Sequence, residues 1–278
     1  MTEGYRFRAS APLTTRWQHF RFAVEDHIAT ITLDRPEKLN PLTFESYADL
    51  RDLLGEIGHH QDVRVLVIRG EGKGFCGGGD VNEIIGELLK MDARDLMRFT
   101  KMTGDAIRAM RECPVPIISA VHGIAAGAGA VVALASDFRV VSTSARFAFL
   151  FTKVGLSGGD MGAAYLLPRM AGLGRATELL MLGDTIDAAT ADRYGLVSKL
   201  VADEELTEAV GQLARRLADG PTLALSQTKS LLTRELDMPL SSAMELDAMT
   251  QALLMTTEDH AEFHAAFNDR RPPRWQGR

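Results

Sequence analysis

Main-chain amides beside small residues, rather than a cluster of reactive side chains, carry the chemistry this sequence offers. Phe75-Cys76-Gly77-Gly78-Gly79-Asp80 and His122-Gly123-Ile124-Ala125-Ala126-Gly127-Ala128-Gly129 are glycine-rich turns. Each follows an apolar run of strand character, 63–68 and 117–121, and each leads toward helical sequence. Small residues leave the amides of such a turn bare to a substrate oxygen, and a helix N-terminus adds partial positive charge. Two turns of this kind can together stabilise an enolate or oxyanion. Neither matches the Gly-x-x-x-x-Gly-Lys-Ser/Thr phosphate loop, or a Gly-x-Gly-x-x-Gly dinucleotide fingerprint with its acidic residue downstream.

Side chains able to move a proton near these turns are few. Asp160, in Leu156-Ser157-Gly158-Gly159-Asp160-Met161-Gly162, has two roles open to it. It can act as an acid/base or nucleophile, or it can cap a helix beginning near Met161. A helix N-terminus favours the ionised carboxylate and weakens it as a base unless burial opposes that effect. Cys76 has no readable base partner and reads as a packing residue. His122 reads as a hydrogen-bonded structural histidine, Glu83 as a solvated acid at a helix start, and Asp80 as a turn or cap residue.

The elements that must position these groups follow from periodicity. Residues 20–24 and 28–33 read as a hairpin, followed by a turn at Asp34-Arg35-Pro36. From Phe44, apolar residues at Tyr47, Leu50, Leu53, Leu54 and Ile57 mark one helical face, with Thr43 as N-cap. Leu96, Phe99, Ala106, Ile107 and Met110 share a second face before Pro114 and Pro116 end that helix. Strands are expected at 138–141 and 147–151, then largely helix, with a stripe at Leu206, Val210, Leu213 and Leu217 and an i,i+4 pair at Phe263 and Phe267. Strand, helix and strand alternate, so parallel strands joined by right-handed crossovers are expected.

The 278 residues can bury a full core. A net charge of -6 and a pI of about 5.7 argue against a general nucleic-acid binder. The two cysteines, Cys76 and Cys113, form neither a disulfide framework nor a zinc pattern, no metal site is read, and no secretory signal opens the chain; a cytoplasmic setting is expected. The apolar stretch 117–135 is interrupted by His122 and glycines and closed by Ser136-Asp137, so it is not read as a membrane span. Residues 1–17 lack periodicity and read as a loose arm.

The two turns, the opening Asp34-Arg35-Pro36-Glu37-Lys38-Leu39-Asn40 and the closing Phe267-Asn268-Asp269-Arg270-Arg271-Pro272-Pro273-Arg274-Trp275-Gln276-Gly277-Arg278 resemble the crotonase, or enoyl-CoA hydratase/isomerase, superfamily from about residue 18 to the end. The resemblance implies an α/β spiral of β-β-α units over 18–205 and a C-terminal helical region, 206–278, used to form homotrimers that often pair into hexamers. It implies acyl-CoA substrates, no cofactor beyond their CoA moiety, and an enolate held by the Gly79 and Ala128 N–H groups. It places Lys38, Leu39, Cys76, Gly77, Gly79 and Asp80 along the CoA arm.

The sequence departs from family hydratases where these carry two glutamates, at positions matching Val131 and Phe151. Asp160 is the nearest replacement, in a loop where some isomerase-like and dehalogenase-like members carry a working aspartate. The resemblance therefore implies a double-bond isomerase or an atypical hydratase. A CoA-thioester hydrolase or dehalogenase using Asp160 and a non-catalytic acyl-CoA binder are the alternatives. Phe147, Phe149 and Phe151, alternating at strand spacing, read first as core packing and second as an apolar wall suited to a cyclic or branched acyl group.

Overall fold

The computed structural model describes residues 17–60 and 62–278; most of the expected N-terminal arm lies outside them. The chain opens on the hairpin β1 (Arg21–Glu25) and β2 (Ile28–Leu33), whose two turn residues, Asp26 and His27, both adopt positive φ. That is the turn twist that suits a two-residue hairpin. Helix α1 (Phe44–Ile57) starts where expected: the Thr43 side chain accepts from Ser46 N–H while Ser46 returns the bond, a reciprocal capping box. The apolar stripe Tyr47, Leu50, Leu53, Leu54 and Ile57 is buried throughout.

Strand β3 (Val65–Gly70) follows, then α2 (Gly86–Leu88) and the long α3 (Ala93–Glu112), capped by Asp92. Next come β4 (Ile117–Val121), β5 (Ile124–Ala126), α4 (Ala128–Ala135), β6 (Phe138–Ser142) and β7 (Arg146–Ala148). Helix α5 (Ala163–Leu182), β8 (Thr185–Asp187), α6 (Ala188–Arg193) and β9 (Lys199–Val201) complete the spiral. Helices α7 (Leu206–Ala218), α8 (Thr222–Arg234), α9 (Leu240–Leu254) and α10 (Glu258–Asp269) close the chain.

Six strands in the order β1-β2-β3-β4-β6-β9 form the main sheet, parallel beyond the first hairpin, and β5-β7-β8 form a second, smaller one. Two β-β-α turns, β4-β5-α4 and β6-β7-α5, each lay one strand in each sheet before a helix crosses back. Both faces of the main sheet are buried, as parallel strands require. On β3, Leu66 and Ile68 enter the large core with α1, α3 and α4, while Val65 and Val67 face the Leu206, Val210 and Leu217 stripe of α7.

The strand expected at 147–151 ends early, at Ala148. Its partner β5 stops at Ala126, where the chain turns into α4, so the ladder has nothing further to pair with. Residues Leu150–Val154 instead form a 3-10 turn closed by Gly155 at φ 78°. Phe147, Phe149 and Phe151 are all buried in the main core even so. The apolar stretch 117–135 resolves into two strands and a helix of 8 residues, and among the described residues no helix is long and apolar enough to cross a membrane.

Candidate active site

The two glycine turns lock together by backbone pairing. Cys76 N–H donates to Ile124 O at 3.0 Å and Ala126 N–H to Cys76 O at 2.9 Å, a parallel bridge between Cys76 and Ala125. Glycine is required where the two loops cross. At Gly78 (φ 101°) a Cβ would lie 2.9 Å from Ala126 O and 3.6 Å from Ala128 N, and at Gly129 it would lie 2.6 Å from Cys76 Cβ. The Gly78–Gly79 peptide therefore lies directly beside the first turn of α4.

The direction of the Gly79 amide follows from a second parallel bridge. Leu42 N–H donates to Gly78 O at 2.7 Å and Asp80 N–H to Leu42 O at 2.9 Å, which leaves the N–H of Gly79 itself pointing away from Leu42. Ala128 is the first residue of α4, whose N-cap Gly127 (φ 49°) supplies no side chain. Among the described residues neither N–H has a protein acceptor. Helix α4 is buried along its whole length, so an uncapped start leaves real donors to satisfy. At its other end the buried Arg139 guanidinium donates to Ser136 O and Leu134 O, placing a cation where the helix dipole is negative. Burial pushes that guanidinium down to about 10.

Asp160 lies in a short 3-10 turn, Asp160–Gly162, with Gly159 before it. The expected capping role is not what the fold uses it for: the N-cap of α5 is Gly162, at φ 82°. Two residues after the aspartate, left-handed glycine is what the helix entry needs. The carboxyl instead sits near the N–H of Met161, a buried residue itself at φ 52°. Burial raises the Asp160 pKa and the Met161 N–H opposes that rise only in part, so the net shift favours the neutral acid.

One turn into α4, Val131 is fully buried, and Phe151 is buried likewise, so neither position holds a titratable group. Burial pushes the Cys76 thiol up to about 12, against a bond from Gly78 N–H, and the group stays a thiol at neutral pH. His122 Nε2 lies 2.9 Å from Gly72 O, as a structural histidine would. Asp80 caps the segment after the first turn, accepting from Glu83 and Asn82 N–H, and those bonds with Lys38 and Arg35 hold its carboxyl below the usual range. Glu83 pairs with Arg35 at 2.6 Å at the surface.

The residues expected along a CoA arm are contiguous. Gly77 N–H donates to Leu39 O at 2.7 Å, and Lys38 Nζ is 3.6 Å from Asp80 Oδ2, with Lys38 and Leu39 exposed beside the turn. Asn40 fastens this group from below: its buried amide donates to Glu71 O and Gly74 O and accepts from Arg35 N–H. A separate cavity of approximately 540 Å³ lies between α3, α5 and the end of α8, lined by Ile107, Met161, Tyr165 and Leu236 among others. It adjoins the residue after Asp160 and is not lined by either glycine turn.

Sequence reasoning missed Tyr47. Its ring fills the α1 stripe against Phe99, but its hydroxyl reaches to 3.8 Å from the Cβ position of Gly79 and has no protein partner among the described residues. A phenol among leucines and isoleucines was the available signal.

Residues 23–278 match the family model described as enoyl-CoA hydratase/isomerase. Among curated relatives, 1,2-epoxyphenylacetyl-CoA isomerase of Escherichia coli K12 is 36% identical, over 92% of this chain and 97% of that protein. The (E)-benzylidenesuccinyl-CoA hydratase of Thauera aromatica is 33% identical, over 91% and 97%. A crystal structure from Streptomyces coelicolor A3(2), assigned to the enoyl-CoA hydratases, is 64% identical with a TM-score of 0.96, covering 99% of this chain and all of that one.

Proposed function

The chain belongs to the enoyl-CoA hydratase/isomerase family of enzymes, and from that premise we propose that it moves a double bond in an acyl-CoA through a thioester enolate. Gly79 and Ala128 N–H hold the thioester oxygen, and Asp160 carries the proton. The carboxylate takes a proton from the γ or α carbon, the electron pair passes to the thioester oxygen as a dienolate, and the carboxyl, after exchanging its proton with water, protonates the other carbon. One carboxyl suffices for that shuttle, whereas hydration divides its work between two.

The observation that carries this reading is the pairing of two unclaimed amides on interlocked turns with the partly buried Asp160 carboxyl. Val131 and Phe151, where the resemblance to family hydratases implies glutamates, put no carboxyl at either of those positions. The names of the relatives, with their epoxyphenylacetyl and benzylidenesuccinyl groups, support an aromatic or cyclic acyl chain. The CoA arm lies along Lys38, Leu39, Cys76, Gly77 and Asp80. Exposed apolar side chains on α9 and α10, Leu253, Phe263 and Phe267 among them, support assembly into a homotrimer or a pair of trimers.

The test is incubation with a panel of enoyl-, dienoyl- and aryl-CoA thioesters in deuterated water, followed by mass. Deuterium gained at the α or γ carbon without added water is the expected result. A net gain of water makes the protein a hydratase. Asp160→Asn abolishes the exchange, and a full rate in that variant removes Asp160 from the mechanism.

A further inference from the structure

Helix α1 is tied in register to the first glycine turn. Leu42, just before the capping box, is the residue bridged to Gly79, so the first turn of α1 carries Tyr47 over that glycine. Tyr47 is only 3% exposed, and its ring is held edge-on to Phe99 at 6.0 Å. If Gly79 carried a Cβ, that atom's nearest neighbours would be Ile84 Cδ1 at 3.5 Å and the Tyr47 hydroxyl at 3.8 Å. Burial, with Cys76 and Asp160 nearby, pushes the phenol up, so it is a donor at any physiological pH. The hydroxyl has no protein partner among the described residues and is not among the side-chain atoms sealed without one, so it is the part of Tyr47 left open to water or to a ligand.

We propose that Tyr47 is a specificity-determining residue whose hydroxyl donates a hydrogen bond to a second oxygen of the substrate, carried on the second or third carbon of the acyl chain. This rests on the site reading above. A thioester carbonyl has two acceptor lone pairs, and the Gly79 and Ala128 amides take both. The hydroxyl therefore needs another acceptor, and its place beside Gly79 confines that acceptor to the carbons next to the carbonyl. The absence of a side chain at Gly79 leaves room for it. A site whose donor is shielded from water by the bound substrate disfavours the analogue that lacks the matching oxygen, because the donor is then left unpaired.

Binding calorimetry with 3-phenylpropanoyl-CoA and its 2-hydroxy and 3-hydroxy counterparts tests this, with each ligand checked intact by mass. Wild type is expected to prefer one hydroxy ligand over the plain one by about tenfold, the worth of one good hydrogen bond. Tyr47→Phe, which keeps the ring, abolishes that preference and binds the plain ligand at least as well. No preference in wild type, or a preference that survives Tyr47→Phe, overturns the proposal. An equal loss for all three ligands also overturns it, assigning the hydroxyl to the thioester oxygen or to Asp160. Failure of every acyl-CoA to bind wild type sinks the acyl-CoA reading itself, an outcome separable from the others.

Discussion

In the proposed enolate site Gly79 and Ala128 contribute only an N–H each, so substitutions that test them must act on the backbone. Proline at the first position of a helix is well tolerated and lacks the N–H. Ala128→Pro is therefore expected to retain the folded core while lowering kcat by roughly 10²–10³; circular dichroism and steady-state kinetics together check it. Gly79→Ala keeps the N–H, and its methyl would meet only ordinary contacts with Ile84 and Tyr47. Its effect should fall on large or oxygenated acyl groups rather than on the common step.

Asp160 makes a statement about stability as well. Its pKa is raised by burial in the folded protein, so the native state holds its proton more tightly than the unfolded chain does. Stability associated with that proton is present below the unfolded value, near pH 4, and is lost as pH rises through the folded value. Asp160→Asn should accordingly raise Tm at neutral pH, with the gain shrinking toward about pH 4. A thermal melt series across that range that shows no trend contradicts the burial assignment. For the same reason the acid limb of the wild-type kcat/KM profile should lie above the ordinary aspartate range.

At the scale of elements, the site is a junction of three backbone segments: the α1 entrance, the first glycine turn and the start of α4. Gly78 and Gly129 are the crossing points. Gly78→Ala and Gly129→Ala each force backbone or Cys76 to move, an overpacking cost of about 1–3 kcal/mol. Both should lower Tm and activity together, unlike Ala128→Pro, and a variant that loses neither contradicts the interlocked geometry. The Asn40 clamp and the Arg139 bonds at the far end of α4 hold the same junction from outside.

The whole molecule leaves much apolar surface uncovered in its last two helices. Leu240 is 76% exposed and Phe267 72%. Side chains of that size on one layer call for a partner surface. Light scattering is expected to give three or six times the 30.3 kDa chain mass, and Phe267→Glu should shift that mass downward. A monomer at micromolar concentration would rule the assembly out.

Local pattern in the sequence was enough to place α1 with its Thr43 cap, β4, the hairpin and the α7 stripe, because alternation and helical spacing report which side of an element meets a core. It was also enough to find both glycine turns, since glycine at a strand-to-helix turn has a local conformational reason. Long-range pairing decided the rest. The strand ladder ended at Ala148 because β5 had ended, Asp160 was relieved of capping by a left-handed Gly162, and the Tyr47 hydroxyl was carried over Gly79 by the Leu42 bridge. Each depends on which distant backbone lies alongside, and a one-dimensional pattern holds no record of that.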